Sequence, residues 1–175
     1  MGKEISVQAA NRFEWAAALI HTLPEDQILE IGCGAGLLAE LITASLDSGK
    51  LTAIDSSASM IRKAEKRNRS AIVAGKLSLL TKSFNETSFR QPFSKIVAFN
   101  VNFFWKNNED ELALIRQLLA PGGKLFVFYQ TPSGVDLTLM KKIEDMLSAN
   151  GFSLFRSFVD NKEPVRSFAL IATGN

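Results

Sequence analysis

The segment Ile-Leu-Glu-Ile-Gly-Cys-Gly-Ala-Gly, residues 28–36, joins a short apolar stretch to three glycines at alternate positions. The run Leu-Leu-Ala-Glu-Leu-Ile follows at residues 37–42 and favours a helix. Glycine adopts positive φ without strain and has no Cβ, so a ligand can approach the main chain closely. The free N–H groups at the start of the helix suit a negatively charged group. The segment therefore predicts a buried strand, a tight turn and a helix. A ligand held against the backbone and a purely structural turn are both compatible with these glycines.

A second short apolar strand, residues 51–54, ends at Asp55. An acid about 20 residues beyond a glycine turn lies at the tip of the neighbouring parallel strand, where it can accept hydrogen bonds from both ribose hydroxyls. Asp55 could also cap the following helix, and Ser56 or Ser57 could provide that cap instead. The two roles are compatible, and the arrangement favours a ligand that contains a nucleoside.

These motifs resemble those of the class I, Rossmann-like S-adenosylmethionine-dependent methyltransferases. The family's first motif places an acid two residues before a Gly-x-Gly-x-Gly turn, which Glu30 and the three glycines match. Its second motif, an acid that closes the second strand, is matched by Asp55. A later Pro-Gly-Gly turn before the fifth strand is matched at residues 121–123. The resemblance spans nearly the whole chain and implies S-adenosylmethionine as the cofactor.

Nicotinamide and flavin binders are the nearest competing class. Their fingerprint, Gly-x-Gly-x-x-Gly, would require a glycine at position 37, where this chain has Leu37. An acid at the position of Glu30 is also no part of that fingerprint. The methyltransferase resemblance implies that the cofactor contacts Glu30, Gly32, Cys33, Gly34, Gly36, Asp55, Ser56, Met60, Ser83, Phe84 and Asn100.

Two positions depart from the family's pattern. An acid that often binds the adenine amino group is replaced by Ser83, and an acid that often precedes the fourth strand is replaced by Ser94. A serine hydroxyl can still accept a hydrogen bond from that amine, and Phe84 can pack on the base. These departures bear on cofactor affinity, and they keep open a methyltransferase-like binding module without activity.

Aromatic residues are the candidates for contact with the acceptor. In the resembled family a helix before the first strand often folds over the cofactor, and apolar spacing predicts such a helix, a partial lid, over residues 6–22. Candidate substrate-binding residues are Phe13, Trp15, Trp105 and Tyr129. Core packing is an alternative for Phe13, Trp15 and Tyr129.

The bulk composition restricts the class of protein. A chain of 175 residues with a formal net charge of +2 is sufficient for one domain, residues 1–175. No apolar run is long enough to cross a bilayer, and the N-terminus lacks the apolar core of a signal peptide, so we expect a cytoplasmic protein without a membrane partner. One cysteine, Cys33, and one histidine, His21, exclude an intramolecular disulfide and a cysteine-based zinc site, and we expect no metal.

The order of apolar segments predicts an α/β fold with a doubly wound, mostly parallel seven-stranded sheet whose last strand is antiparallel. Predicted strands cover residues 28–31, 51–54, 77–81, 95–99, 124–130, 152–159 and 165–172. Predicted helices after the first cover residues 35–46, 58–69, 109–119 and 135–149, and helices are expected between the first five strands. Ligands bind at the carboxyl ends of strands in such sheets, so residues 100–105 should face the substrate.

The predicted function is methyl transfer to a small-molecule acceptor by in-line displacement, with no residue assigned as the catalytic base. An RNA or protein methyltransferase is an alternative, because cations cluster around the helix at residues 58–69. These cations are Lys63, Lys66, Arg67, Arg69 and Lys76. No aromatic residue lies between them to stack on bases, so a solvated helix face is the simpler explanation.

Overall fold

The computed structural model describes residues 7–105, 109–131, 136–160 and 166–174, and these contain seven strands and six α-helices. The strands are β1 (Gln27–Ile31), β2 (Lys50–Asp55), β3 (Leu77–Thr81), β4 (Phe93–Phe99), β5 (Leu119–Thr131), β6 (Phe152–Asp160) and β7 (Arg166–Gly174). The α-helices are α1 (Val7–Ile20), α2 (Leu37–Ser45), α3 (Ala58–Arg67), α4 (Arg69–Val73), α5 (Glu109–Leu118) and α6 (Leu137–Ala149). Two 3-10 turns cover Phe84–Glu86 and Asn102–Trp105.

The strands form one sheet in the order β3-β2-β1-β4-β5-β7-β6. Strands β1 to β5 are parallel, and β7 pairs antiparallel with both β5 and β6. The predicted doubly wound sheet with an antiparallel last strand is therefore confirmed. The chain order reverses between β1 and β4, so their carboxyl ends form the crevice where ligands bind in open α/β sheets.

Each face of the sheet carries its own apolar core. In β5, Leu125 and Val127 pack with α5 and α6, whereas Phe126 and Phe128 pack with α1 and α2. A strand covered on both faces needs apolar residues at successive positions instead of alternate ones. Burying such large side chains contributes about 1.5–3 kcal/mol each, so the central strands are a rigid support for the loops at their ends.

The helix predicted over residues 58–69 is divided at Asn68 into α3 and α4. The Asn68 side-chain amide donates to the carbonyl of Ala64 in α3 and to the carbonyl of Gly36, both at 3.0 Å. Asparagine side chains compete with the backbone for hydrogen bonds in this way, which favours them at helix ends. The interruption therefore fixes α3 to the start of α2.

No α-helix connects β3 to β4, although one was predicted between each pair of the first five strands. Residues 82–92, all of them described, contain only the 3-10 turn Phe84–Glu86. This segment includes Pro92 and lacks the apolar spacing of an amphipathic helix. Its short path keeps Ser83 and Phe84 next to the carboxyl ends of the strands.

Strand β5 is longer than predicted and includes the Pro-Gly-Gly turn. Its pairing with β4 moves from Phe93–Leu119 to Lys95–Lys124, so residues 120–123 interrupt the ladder. Gly122 has φ 74° at this interruption, a conformation that glycine adopts without strain. The turn is present, but as an irregularity inside the strand.

A buried ion pair ties β1 to β4 at their amino ends, opposite the glycine turn. The Lys95 Nζ atom lies 2.5 Å from Asp26 Oδ2 and 2.8 Å from the His21 carbonyl oxygen. Ser94 Oγ donates to Asp26 Oδ1 at 2.7 Å, and the Leu23 N–H donates to Asp26 Oδ2 at 2.7 Å. Burial raises the pKa of Asp26, but these hydrogen bonds outweigh it and hold the pKa below its ordinary value. Ser94, which departs from the family's pattern, therefore has a structural role here.

Candidate active site

The glycine turn has the conformation that its sequence predicts. Gly32, Gly34 and Gly36 have φ values of 72°, 54° and 74°, all in the left-handed region. The Gly32 and Cys33 N–H groups both donate to the Ile54 carbonyl, at 2.8 and 3.0 Å. The turn is therefore fixed to the end of β2.

The three glycines differ in what surrounds them. A Cβ at Gly36 would lie 2.5 Å from Asn68 Nδ2, and a Cβ at Gly32 would lie 3.0 Å from Val101 Cγ2. A Cβ at Gly34 would meet nothing within 4 Å. Gly36 therefore permits close packing of α2 on α3, whereas Gly34 leaves bare backbone facing open space.

Asp55 connects the glycine turn to the start of α3. Its Oδ2 accepts from the Gly34 N–H at 2.9 Å, and its Oδ1 accepts from the Ser57 N–H at 2.8 Å. Ser57 Oγ accepts from the Met60 N–H at 3.4 Å, so Ser57 takes the helix cap, as the sequence allowed. A carboxylate oxygen can accept more than one hydrogen bond, so Asp55 can still accept from ligand hydroxyls.

A cleft of about 200 Å³ opens at the carboxyl ends of β1 to β4. Five of the predicted cofactor residues line it, namely Gly32, Asp55, Ser56, Ser83 and Phe84. Five further residues line it that were not among the predicted cofactor contacts, namely Ile31, Ile54, Lys82, Val101 and Phe103. Lys82 directly follows β3, so the rule that ligands bind beyond strand ends would have identified it.

Glu30 is buried at the end of β1, with 2% of its surface exposed. Within the described part of the chain its Oε2 has no hydrogen-bond partner. Burial raises the pKa of Glu30 to about 8, and the negative charge of Asp55 acts in the same direction. The carboxyl group is therefore mostly neutral at pH 7, and a cation placed against it would favour its ionised form.

Cys33 contributes its backbone to the turn but has no reactive thiol. Burial, followed by the charges of Glu30 and Asp55, raises the pKa of the thiol well above its usual range. The nucleophilic form of cysteine is the thiolate. The side chain therefore serves packing, as the sequence suggested.

Two residues that the sequence did not assign to the site hold the outer side of the turn. The Asn68 amide donates to the Gly36 carbonyl at 3.0 Å, and Arg67 Nε donates to the Ala35 carbonyl at 3.2 Å. Arg67 Nη1 also lies 3.1 Å from Glu40 Oε2. The two bonds to the turn carbonyls each join residues that are 32 positions apart in the chain. No local motif in the sequence indicates them.

Six of the predicted cofactor residues do not line the cleft, namely Glu30, Cys33, Gly34, Gly36, Met60 and Asn100. Met60, in the first turn of α3, is 36% exposed and does not line it. Asn100 follows β4 with φ 54°, and its Oδ1 accepts from the Gln130 N–H at 2.8 Å. Asparagine is one of the few residues that tolerate this conformation, so Asn100 turns the chain toward the cleft without lining it.

The structure favours the core-packing alternative for Tyr129. Tyr129 is 1% exposed, packs against Phe168 in the core, and donates its hydroxyl to the Val101 carbonyl. Burial also raises the pKa of its hydroxyl. Tyr129 therefore supports the loop after β4 from within the core instead of contacting an acceptor. The side chain of Trp105 lies outside the described residues.

The two aromatic residues of α1 pack on the sheet. The Phe13 ring lies 4.9 Å from that of Phe99, and the Trp15 ring lies 5.9 Å from that of Phe128. Both side chains remain half-buried. These contacts match the core-packing alternative and place α1 beside the carboxyl ends of β4 and β5.

No group of three or more His, Cys, Asp or Glu residues in the described ranges could hold a metal ion. The helices in the same ranges include none that is long and apolar enough to cross a membrane.

Comparison with known proteins gives a family match over the segment that builds this cleft. The profile of a family described as a methyltransferase domain matches residues 28–123, more than half of the chain. The match begins at β1 and extends beyond the start of β5, so it includes the glycine turn, Asp55 and the Pro-Gly-Gly turn.

Two curated relatives are similar over part of their length. Malonyl-[acyl-carrier protein] O-methyltransferase of Priestia megaterium is 31% identical over 102 residues, which cover 58% of this chain and 35% of that protein. Trans-aconitate 2-methyltransferase of Streptomyces avermitilis is 29% identical over 130 residues, which cover 73% of this chain and 47% of that protein. The chain therefore spans about a third to a half of the length of these relatives.

The fold is also similar to that of a solved methyltransferase. The magnesium protoporphyrin IX methyltransferase of Synechocystis PCC 6803 with bound SAH superposes with a TM-score of 0.76 at 17% identity. The superposition covers 100% of this chain and 90% of that one. At this identity the similarity establishes a shared fold.

Proposed function

Because this chain belongs to the methyltransferase domain family, we propose that it is an S-adenosylmethionine-dependent methyltransferase that acts on a small-molecule acceptor. The observation that carries the proposal is the Asp55 carboxylate, which lines the cleft and accepts from the N–H of Gly34, a residue whose backbone faces open space. The relative named for trans-aconitate supports an acceptor of small size.

The residues of the cleft fit this cofactor. The buried Glu30 oxygen without a partner suits the ammonium group of the cofactor's amino-acid end. The space at Gly34 admits a ligand against the backbone, and Asp55 can accept from the ribose hydroxyls. Ser83 and Phe84, which line the cleft at the end of β3, would contact the base.

When bound, the cofactor supplies a methyl group on a positively charged sulfur. The chain's own contribution is then orientation, which can lower a barrier by about 7–11 kcal/mol when the two reactants are aligned. Ile31, Val101 and Phe103 give the cleft apolar walls that exclude water from such a site. We assign no residue as a general base.

Titration calorimetry with S-adenosylmethionine and its demethylated product tests the proposal. Wild-type protein should bind both below millimolar concentration, and Asp55→Asn should bind them at least about tenfold more weakly, because a charged hydrogen-bond acceptor is lost. Asp47→Asn is the matched control, since Asp47 is an exposed carboxylate. Failure of the folded wild type to bind either compound at millimolar concentration would contradict the proposal and favour a module without activity.

The cationic cluster around α3 gives little support to a nucleic-acid acceptor. Arg67 is bonded to the Ala35 carbonyl and to Glu40, and Lys76 Nζ donates to the Leu46 carbonyl at 2.5 Å. Two of the cations therefore have structural partners. A steep salt dependence of RNA binding would nevertheless favour that acceptor class.

A further inference from the structure

Arg12, on α1, has a cationic side chain without an anionic partner. Its Nη1 donates to Gln130 Oε1, and its guanidinium carbon lies 4.6 Å from the ring centroid of Phe13 and 5.6 Å from that of Phe99. Its Nε is buried and has no hydrogen-bond partner among the described residues. Among the residues that the structure describes, Arg12 forms no ion pair with a carboxylate.

This environment is unusual for a charge that serves only the fold. Burial lowers the pKa of Arg12, but arginine remains protonated in proteins. The aromatic faces compensate only part of the lost hydration. The guanidinium has five N–H donors, and its contact with Gln130 does not use them all. Its geometry suits a planar anion with two oxygens, such as a carboxylate.

Arg12 lies beside the proposed methyl-transfer cleft. Its partner Gln130 donates its backbone N–H to Asn100 Oδ1 at 2.8 Å. Asn100 is followed directly by Val101, which lines the cleft. Arg12 thus lies at the carboxyl ends of β4 and β5, the edge at which the cleft opens. An acceptor that extends from the cleft over these strand ends would approach the guanidinium.

Several titratable side chains in the described part of the chain are unsuited to deprotonating an acceptor. The thiol of Cys33 and the hydroxyl of Tyr129 both have raised pKa values because they are buried. His21 lies at the opposite edge of the sheet, where its carbonyl accepts from Lys95. Both oxygens of Asp55 already accept backbone hydrogen bonds. An acceptor that is anionic at neutral pH needs no base.

We infer that the acceptor is a small dicarboxylate, with one carboxylate held by Arg12 and the other attacking the methyl group. The inference rests on the proposed function. An oxygen of the free carboxylate forms a bond to the methyl carbon as the carbon–sulfur bond breaks, and that electron pair stays on sulfur. The products are a methyl ester and a neutral thioether, and no proton is transferred. Arg12 holds the carboxylate that does not react, because pairing it with the reacting one would stabilise the ground state over the transition state.

The test uses the protein saturated with the demethylated cofactor, and malonate, succinate and glutarate as probes in calorimetry. At least one probe should bind, its monomethyl ester should bind more weakly, and Arg12→Gln should weaken dicarboxylate binding about ten- to a hundredfold. Arg12→Lys should fall between, because it keeps the charge but loses the planar fork. Arg156→Gln is the matched control, since Arg156 is exposed and also lies over a phenylalanine ring, that of Phe155 at 5.3 Å.

A coupled assay for release of demethylated cofactor completes the test, with the probes that bind and with amine acceptors. Turnover of a dicarboxylate that depends on Arg12 supports the inference. It is overturned if no dicarboxylate binds, if Arg12→Gln binds them as the wild type does, or if only amines are methylated. Binding of the demethylated cofactor itself should be unchanged in Arg12→Gln. If the wild type did not bind the demethylated cofactor, that result would instead refute the proposed function.

Discussion

Alanine substitutions at Gly34 and Gly36 should have different effects, although both glycines belong to one turn. Either substitution forces a side chain into a left-handed backbone, at a cost of about 1–2 kcal/mol. At Gly36 the new Cβ would also lie 2.5 Å from Asn68 Nδ2 and 3.1 Å from the Ala64 Cα, and the latter is backbone that cannot rotate away. Overpacking of this kind costs about 1–3 kcal/mol more.

The expected loss of unfolding free energy is therefore about 2–5 kcal/mol for Gly36→Ala and about 1–2 kcal/mol for Gly34→Ala. For a chain of this size 1 kcal/mol lowers Tm by about 2–4 °C. Scanning calorimetry without cofactor should accordingly show that Tm falls by about 4–20 °C in Gly36→Ala and by about 2–8 °C in Gly34→Ala.

Cofactor affinity should show the opposite order: the larger loss of affinity is expected for Gly34→Ala, the variant with the smaller loss of stability. The Cβ of Gly34→Ala would enter space that is empty to 4 Å, where we propose that the cofactor approaches the backbone. Binding of the demethylated cofactor, measured by titration below both melting transitions, should weaken at least about tenfold relative to the wild type. The reasoning is refuted if Gly34→Ala is the less stable variant, or if it binds the cofactor as tightly as the wild type.

Three further substitutions test the rest of the structure. The ordinary pKa of Glu30 is 4.5 and its folded value is about 8, so the folded state retains a proton that the unfolded chain releases. The free energy of unfolding should therefore fall as pH rises between these values. Urea unfolding at several pH values should show a smaller pH dependence for Glu30→Gln than for the wild type. An unchanged pH dependence would contradict the raised pKa of Glu30. Asp26→Asn should cost about 3–5 kcal/mol because it leaves Lys95 buried without its partner, whereas Asp145→Asn, in an exposed ion pair, should cost less than about 1 kcal/mol. Because the pKa of Asp26 is lowered, its contribution to stability is present at neutral pH and is lost as acidification passes below the ordinary carboxyl range. Equal losses of stability in Asp26→Asn and Asp145→Asn would refute this role of Asp26. Asn68→Ala should lower stability by about 1–3 kcal/mol and weaken binding of the demethylated cofactor, because the turn carbonyl loses its donor; retained affinity would mean that the amide serves only helix packing.

The glycine turn and Asp55 were predictable because their signal is local. Three glycines and an acid at a fixed spacing specify both the backbone conformation and the neighbouring strand. The seven strands follow from apolar runs in the same way. The observed φ values and the Asp55–Gly34 hydrogen bond are consequences of this short-range pattern.

Arg12, Arg67 and Asn68 were not predictable because their contacts join distant parts of the chain. Arg67 and Asn68 meet the turn across the α2–α3 interface, and Arg12 reaches Gln130 across 118 positions. Tyr129 occupies the ligand end of β5, but alternation along the strand turns its ring into the core. The role of Tyr129 depends on which face of the sheet its side chain occupies. A strand that is buried on both faces has no polar pattern from which that face could be predicted.

The two backbone bonds accepted by Asp55 have a consequence for the speed of ligand capture. They join the glycine turn to the start of α3, so the protein's own hydrogen bonds hold these two walls of the proposed cofactor cleft together. Little loop entropy then opposes association. Uptake should proceed as a single diffusive encounter without a slow isomerisation phase, which stopped-flow fluorescence can observe.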